Sequence, residues 1–267
     1  MKINFFFLSV LFFFPLALFS QDYFIVHATG KIVHPTTHKE LQTGDALKQD
    51  DVLSFPGQKA WAILINTSGQ QFFLQQEASG DSAQSVGLTA QAIEKTVYPV
   101  TRPNKGPVEN LRTYFAGAQF VFIGEEFYLE VDAKKYPLDE KLFLLYRYEY
   151  NGRTITHKIP QTKHVIHLSK AFLYEYKGDT IPYLKTSNTE ITIFNSLTNL
   201  PAYAAGLRPI WLAEEQLKKE LLLLQKVNSR QKLSRSELKK VFLQYVLDVY
   251  GKTDEIIFMN WVEEKVL

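Results

Sequence analysis

The chain has 267 residues, a formal net charge of +2, and 46% hydrophobic and 14% aromatic residues. That apolar content supports a buried core and excludes disorder over most of the length, while the near-neutral balance leaves no electrostatic footprint for a nucleic-acid partner. The absence of cysteine excludes disulfides, thiolate metal sites, a cysteine nucleophile and the lipidated cysteine of a bacterial lipoprotein.

Residues 1–20 read as a secretory signal peptide. Met1-Lys2 gives a short positive start, Ile3 to Phe19 is apolar apart from Asn4 and Ser9, and Ser20 is small enough to precede cleavage before Gln21. An uncleaved anchor is the competing reading. The run lies at the short limit for spanning a bilayer, and Pro15 with Ser20 favours cleavage. No later stretch approaches spanning length without charges, so the expectation is a periplasmic or secreted protein with no transmembrane segment after the signal.

Residues 22–76 read as a small β-domain. Short strands are expected at Tyr23 to Val26, Lys31 to His34 and Val52 to Phe55, and a hairpin at Trp61 to Ile65 and Gln71 to Leu74 around Asn66-Thr67-Ser68-Gly69. Such closely spaced turns point to a small barrel or sandwich. The series Gly30-Lys31-Ile32-Val33, Leu41-Gln42-Thr43-Gly44-Asp45-Ala46-Leu47, Asp51-Val52-Leu53, Ala62-Ile63-Leu64-Ile65 and Gly69-Gln70-Gln71-Phe72-Phe73-Leu74 resembles the β-domain of FecR-type periplasmic proteins over roughly residues 23–75. The resemblance implies a FecR-like or SH3-like β-fold. The family's transmembrane segment and cytoplasmic anti-sigma part have no counterpart in this sequence, which separates the fold from the sigma-regulator role.

Residues 77–110 are small, polar and, from Pro99 to Pro107, rich in chain breakers, which predicts a linker or long loop. Residues 111–205 return to strands, with a sandwich as the expected arrangement. Phe127, Leu129 and Val131 alternate with Glu126, Tyr128 and Glu130, the pattern of a half-buried strand. Asn151-Gly152 suits a two-residue type I′ turn, because both positions need positive φ. That turn pairs Tyr148 with Ile155, Tyr146 with His157 and Leu144 with Ile159 on one face. Leu145, Arg147 and Glu149 then lie on the other face, against Lys158, Thr156 and Thr154.

Residues 207–267 change period and predict a helical tail. Leu217, Leu221 and Leu224 lie at helical spacing. Ser234-Arg235-Ser236-Glu237 is a capping box opening a helix whose Leu238, Val241, Phe242, Tyr245, Val246 and Val249 trace one stripe. Gly251 suits a C-cap, and Thr253-Asp254-Glu255 opens a last short helix through Trp261. An exposed stripe of this width is a solubility liability, which favours a tail packed on its own chain over one waiting for a partner.

Chemistry is sparse. GxSxG, P-loop, GxGxxG and HExxH patterns are absent. His157, His164 and His167 are the one suggestive histidine group, but His164 and His167 fall on opposite faces of a strand, so neither a metal nor another cofactor is expected. Glu125-Glu126 and Asp139-Glu140 are adjacent carboxylates. Neighbours in a strand point apart, so neither pair makes a glycosidase site by itself. Tyr146, Tyr148, Tyr150, Tyr174 and Tyr176 form the candidate binding surface, since exposed tyrosines offer area and a hydrogen bond at low entropy cost. Filling a sandwich core is the commoner use of such residues. The expected fold class is mainly β with a C-terminal α segment. The expected function is an exported, non-enzymatic envelope or secreted protein that binds an envelope protein or a glycan through a β face. A hydrolase with a spatially assembled site and a periplasmic signalling component are the alternatives.

Overall fold

The computed structural model describes residues 22–34, 36–56, 60–75, 85–87, 91–92, 106–116 and 119–267. The signal read at 1–20 and much of the loop read at 77–110 lie outside the described residues. The chain is 41% strand and 26% helix, with no closed barrel, so it is mainly β with its long helices near the C-terminus. Among the described residues no helix is long and apolar enough to cross a membrane.

The N-terminal unit is a pair of sheets rather than a barrel. Its strands are β1 (Tyr23–Thr29), β2 (Val33–His34), β3 (Lys39–Glu40), β4 (Ala46–Leu47), β5 (Val52–Ser54), β6 (Trp61–Asn66), β7 (Gln71–Gln75), β8 (Ser85–Gly87) and β9 (Gln91–Ala92). One sheet runs β4-β1-β6-β7-β9, the other β3-β2-β5-β8. Because β8 and β9 pair with β5 and β7, the chain at 85–87 and 91–92 is strand where a loop was expected. Between the sheets lie Ile25, Ile32, Leu41, Leu47, Leu53, Phe55, Leu64 and Leu74.

The opposite face of β1 and β6 is buried as well. The register of β1 on β6 shifts between Ile25 and His27, a β-bulge. A bulge resets the alternation of the strand. Phe24 and Val26 already point away from the inter-sheet core, and the bulge sends His27 the same way, opposite Ile63. This second face lies against the helices.

The central unit contains α1 (Leu111–Phe115), β10 (Phe120–Ile123), β11 (Glu126–Glu130), β12 (Leu142–Tyr150), β13 (Arg153–Lys158), β14 (Gln161–Thr162), β15 (Val165–Ser169), α2 (Lys170–Leu173), β16 (Glu175–Tyr176), β17 (Asp179–Thr180), a 3-10 turn at Tyr183–Lys185, β18 (Ser187–Asn195) and β19 (Leu200–Gly206). The hairpin β12–β13 has the expected pairs, Tyr148↔Ile155 and Tyr146↔His157, with Asn151 and Gly152 at φ of 49° and 72°. It belongs to a sheet ordered β13-β12-β18-β19.

The chain then continues through β20 (Pro209–Leu212), α3 (Glu214–Asn228), α4 (Arg235–Val249), β21 (Lys252–Thr253) and α5 (Glu255–Lys265). Strands β20 and β21 were not anticipated in a purely helical tail. They flank β10 on either side, both parallel to it. All of Phe120–Ile123 is buried, the continuous apolar run of a strand covered on both faces. Phe120 and Phe122 face the central aromatic core, while Val121 and Ile123 face the helices.

The helices therefore form a layer between two sheets. Leu217, Leu221 and Leu224 of α3, Phe242 and Val246 of α4, and Phe258 and Val262 of α5 share one cluster with Val26, Ile63 and Ile65 on one side and Val121 and Ile123 on the other. The tail is intramolecular. Its capping box is complete: Ser234 Oγ accepts from the Glu237 amide at 3.3 Å and the Glu237 carboxylate accepts from the Ser234 amide at 2.8 Å. Gly69, at φ 85°, lets the β6–β7 turn reach the end of α3. A Cβ there would lie 2.9 Å from Asn228 Oδ1, and the Ser68 carbonyl accepts from Gln231 Nε2 at 3.1 Å.

In urea denaturation, Phe242→Ala is expected to cost about 3–5 kcal/mol, because a fully buried ring leaves a cavity that its neighbours cannot fill. Ser234→Ala removes only the cap and is expected to cost about 1 kcal/mol. An unchanged midpoint for Phe242→Ala contradicts the sandwiched helical layer.

Candidate functional site

The five tyrosines of the sequence-based surface do not share one exposure. Tyr146 and Tyr148 are fully buried and Tyr174 is 2% exposed. Burial removes Tyr146 and Tyr148 from any contact surface and leaves Tyr174 only a small exposed patch. Tyr150 and Tyr176 are partly buried and pack against the same core. Strand alternation explains it: Leu144, Tyr146 and Tyr148 point inward together from β12. The Tyr146 and Tyr174 hydroxyls are 2.6 Å apart, and the Tyr174 ring meets those of Tyr148 and Tyr183 at 5.4 and 5.8 Å.

Tyr174, backed by this buried aromatic group, forms the floor of an open cleft of about 550 Å³. Phe172, Tyr183 and Ile181 provide its apolar wall, and Glu125, Lys170, Glu175 and Thr180 its polar rim. Lys170 Nζ pairs with Glu125 at 2.8 Å and sits 5.5 Å above the Tyr183 ring. The Glu175 carboxylate accepts from the Gly178 amide at 3.1 Å.

A second candidate surface is the outer side of the β13-β12-β18-β19 sheet. Phe143 and Phe194 pair there at 5.3 Å, with Lys158 Nζ 4.0 Å above the Phe143 ring. Strand β19 is the sheet's edge among the described residues. Leu200 and Tyr203 on it are 67% and 56% exposed, and Leu197 in the preceding turn is 72% exposed. Ala204 and Ala205 are buried, and Arg112 of α1 lies 5.7 Å over the Tyr203 ring.

The histidines do not converge. His157 stacks on Tyr148 at 6.0 Å, and burial holds its pKa below the usual imidazole value. His167 stacks on Tyr128 at 4.4 Å and bonds to Glu126. Ser169 donates to the other Glu126 oxygen at 2.9 Å and is the N-cap of α2. The carboxylate thus stands between imidazole and hydroxyl. A serine nucleophile of the usual triad needs the imidazole on its own oxygen. Among the described residues no three His, Asp or Glu side chains are grouped to hold a metal.

The most densely bonded polar cluster went unread in the sequence. Glu220 of α3 is fully buried. Its carboxylate accepts from Tyr245 Oη at 2.9 Å, Tyr250 Oη at 2.8 and 2.9 Å and Gln216 Nε2 at 2.8 Å. His27 Nδ1 lies 2.9 Å from Glu220 Oε1 and 2.9 Å from Tyr250 Oη, and Nε2 faces the Thr29 hydroxyl at 3.0 Å. A visible signal existed: Glu220 falls within the Leu217, Leu221, Leu224 stripe, where a carboxylate demands partners. Lys252 is another buried charge. Its ammonium donates to the Thr113 and Ala116 carbonyls at 2.9 and 3.0 Å, closing the end of α1, and desolvation lowers its pKa.

No family model, curated protein or solved structure matches the chain.

Two predictions follow from these buried groups. Glu220→Leu removes the buried acceptor shared by two phenols, an amide and an imidazole, and is expected to cost at least about 3 kcal/mol in urea denaturation. The second concerns alkaline pH. Burial pushes the phenols of Tyr148 and Tyr174 up to about 12 and raises that of Tyr146 well above the ordinary phenol value of 10.0. Above pH 10 the unfolded chain therefore holds fewer protons than the folded one, and stability present below pH 10 is lost as pH rises through about 12. Tyr174→Phe should flatten that loss, so its stability gap to the unmodified protein narrows between pH 10 and 12 in urea titrations. A gap that stays constant sinks the assignment.

Proposed function

We propose that the protein is an exported, non-enzymatic envelope or secreted protein, released from its leader after Ser20, that binds another protein through the edge of its central sheet. The observation that carries this reading is the exposure of Leu197, Leu200 and Tyr203, three large apolar side chains on and just before an edge strand with no further strand beside it among the described residues. Edge strands are normally blunted, and clustered exposed apolar side chains mark contact sites. Pro201 removes one backbone donor from this edge, so side chains rather than a continuous ladder carry the contact. The Ser169–Glu126–His167 order gives no comparable support to a hydrolase.

The test is capture from an envelope fraction with the tagged protein. Leu200→Asp and Tyr203→Ala should each abolish capture of the same partner. Leu184→Asp, at a residue 75% exposed outside this edge, should leave it intact. Capture that survives both edge variants refutes the reading. Mass spectrometry of the exported protein should find Gln21, or its cyclised form, at the N-terminus.

A further inference from the structure

The cleft on the tyrosine floor is separate from the sheet edge and carries its own chemistry. Its floor is rigid, because the Tyr174 hydroxyl is tied to that of Tyr146 at 2.6 Å and its ring is packed among Tyr148 and Tyr183. Its wall presents two aromatic surfaces: Phe172, which is 42% exposed, and Tyr183, whose hydroxyl donates to the Trp211 carbonyl at 3.4 Å. Its rim mixes two carboxylates, one ammonium and one hydroxyl.

Each simple ligand class leaves part of this lining unsatisfied. An anion meets Glu125 and Glu175, while the one cation, Lys170, is already paired with Glu125. A wholly apolar ligand would cover charged groups without giving them partners. A lone cation would compete with Lys170, whose ammonium already stands over the Tyr183 ring. A sugar ring satisfies all of it. Its C–H faces lie on aromatic rings, and its hydroxyls both donate to carboxylates and accept from Lys170 and Thr180. The cleft volume of about 550 Å³ lies within the range of ligand sites, roughly 300–1,000 Å³.

We infer that this cleft binds an uncharged saccharide. Phe172 serves as the stacking surface, and Glu125, Glu175, Lys170 and Thr180 hold the hydroxyls. The inference does not depend on the sheet edge; either site can fail alone.

The test is ligand-observed NMR with the purified protein against three uncharged trisaccharides (chitotriose, cellotriose and maltotriose), one diamine (1,5-diaminopentane) and one anionic sugar (trigalacturonate). At least one uncharged trisaccharide is expected to bind with a dissociation constant on the order of 1 mM. Phe172→Ala and Glu175→Gln, both at the cleft surface, should each weaken that binding at least about tenfold. Thermal melts of both variants should match the parent, and Leu200→Asp should bind the sugar normally. Failure of all three uncharged sugars overturns the inference. So does binding by only the diamine or trigalacturonate, and so does sugar binding that survives both cleft substitutions.

Discussion

One buried carboxylate sets the arrangement of the molecule. Glu220 is satisfied by phenols, an amide and an imidazole drawn from β1, α3, α4 and the residue after α4. A carboxylate with no access to water is tolerated only when its lone pairs are filled. Strand β1, α3 and α4 must therefore come together in one geometry, or the charge is left stranded. The bulge in β1 is part of that geometry. Without it His27 would point into the inter-sheet core with Tyr23 and Ile25. Hydrophobic contact alone would hold the helices to the sheet in many registers; the carboxylate selects one.

The two β units treat their faces differently. In the N-terminal unit, β1 and β6 are covered on both sides, by the second sheet and by the helices. The central β13-β12-β18-β19 sheet buries one side in an aromatic core and leaves the other open. Its apolar outer residues and its exposed edge strand are thus surplus to folding. The tyrosine floor links core and surface in the same unit, since one ring cluster runs from fully buried Tyr146 to cleft-lining Tyr183.

Local features were legible in the sequence because neighbouring residues determine them. The Asn151-Gly152 turn fixed the β12–β13 register, and Ser234 with Glu237 fixed the start of α4. Core against surface was legible wherever alternation was simple, as in β11. The β20-β10-β21 sheet was not, since its strands come from three distant places in the chain and Lys252–Thr253 is too short to show a period. His27 escaped for a related reason: a bulge breaks the period of two on which face assignment depends. The candidate tyrosines share one aromatic cluster, but Tyr146, Tyr148 and Tyr174 are buried in it, because residue type alone does not say which face of β12 meets the core. The cleft needed Glu125, Lys170, Glu175 and Tyr183 brought together by tertiary structure.

The pairing of β21 with β10 also bears on how the chain reaches its fold. Lys252 bonds to Thr113 and Ala116 across separations of 139 and 136 residues, and His27 meets Glu220 across 193. Contacts this distant close only after the last helices exist, so the helical layer and the β20-β10-β21 sheet are completed last, whereas the two N-terminal sheets pair entirely within residues 23–92.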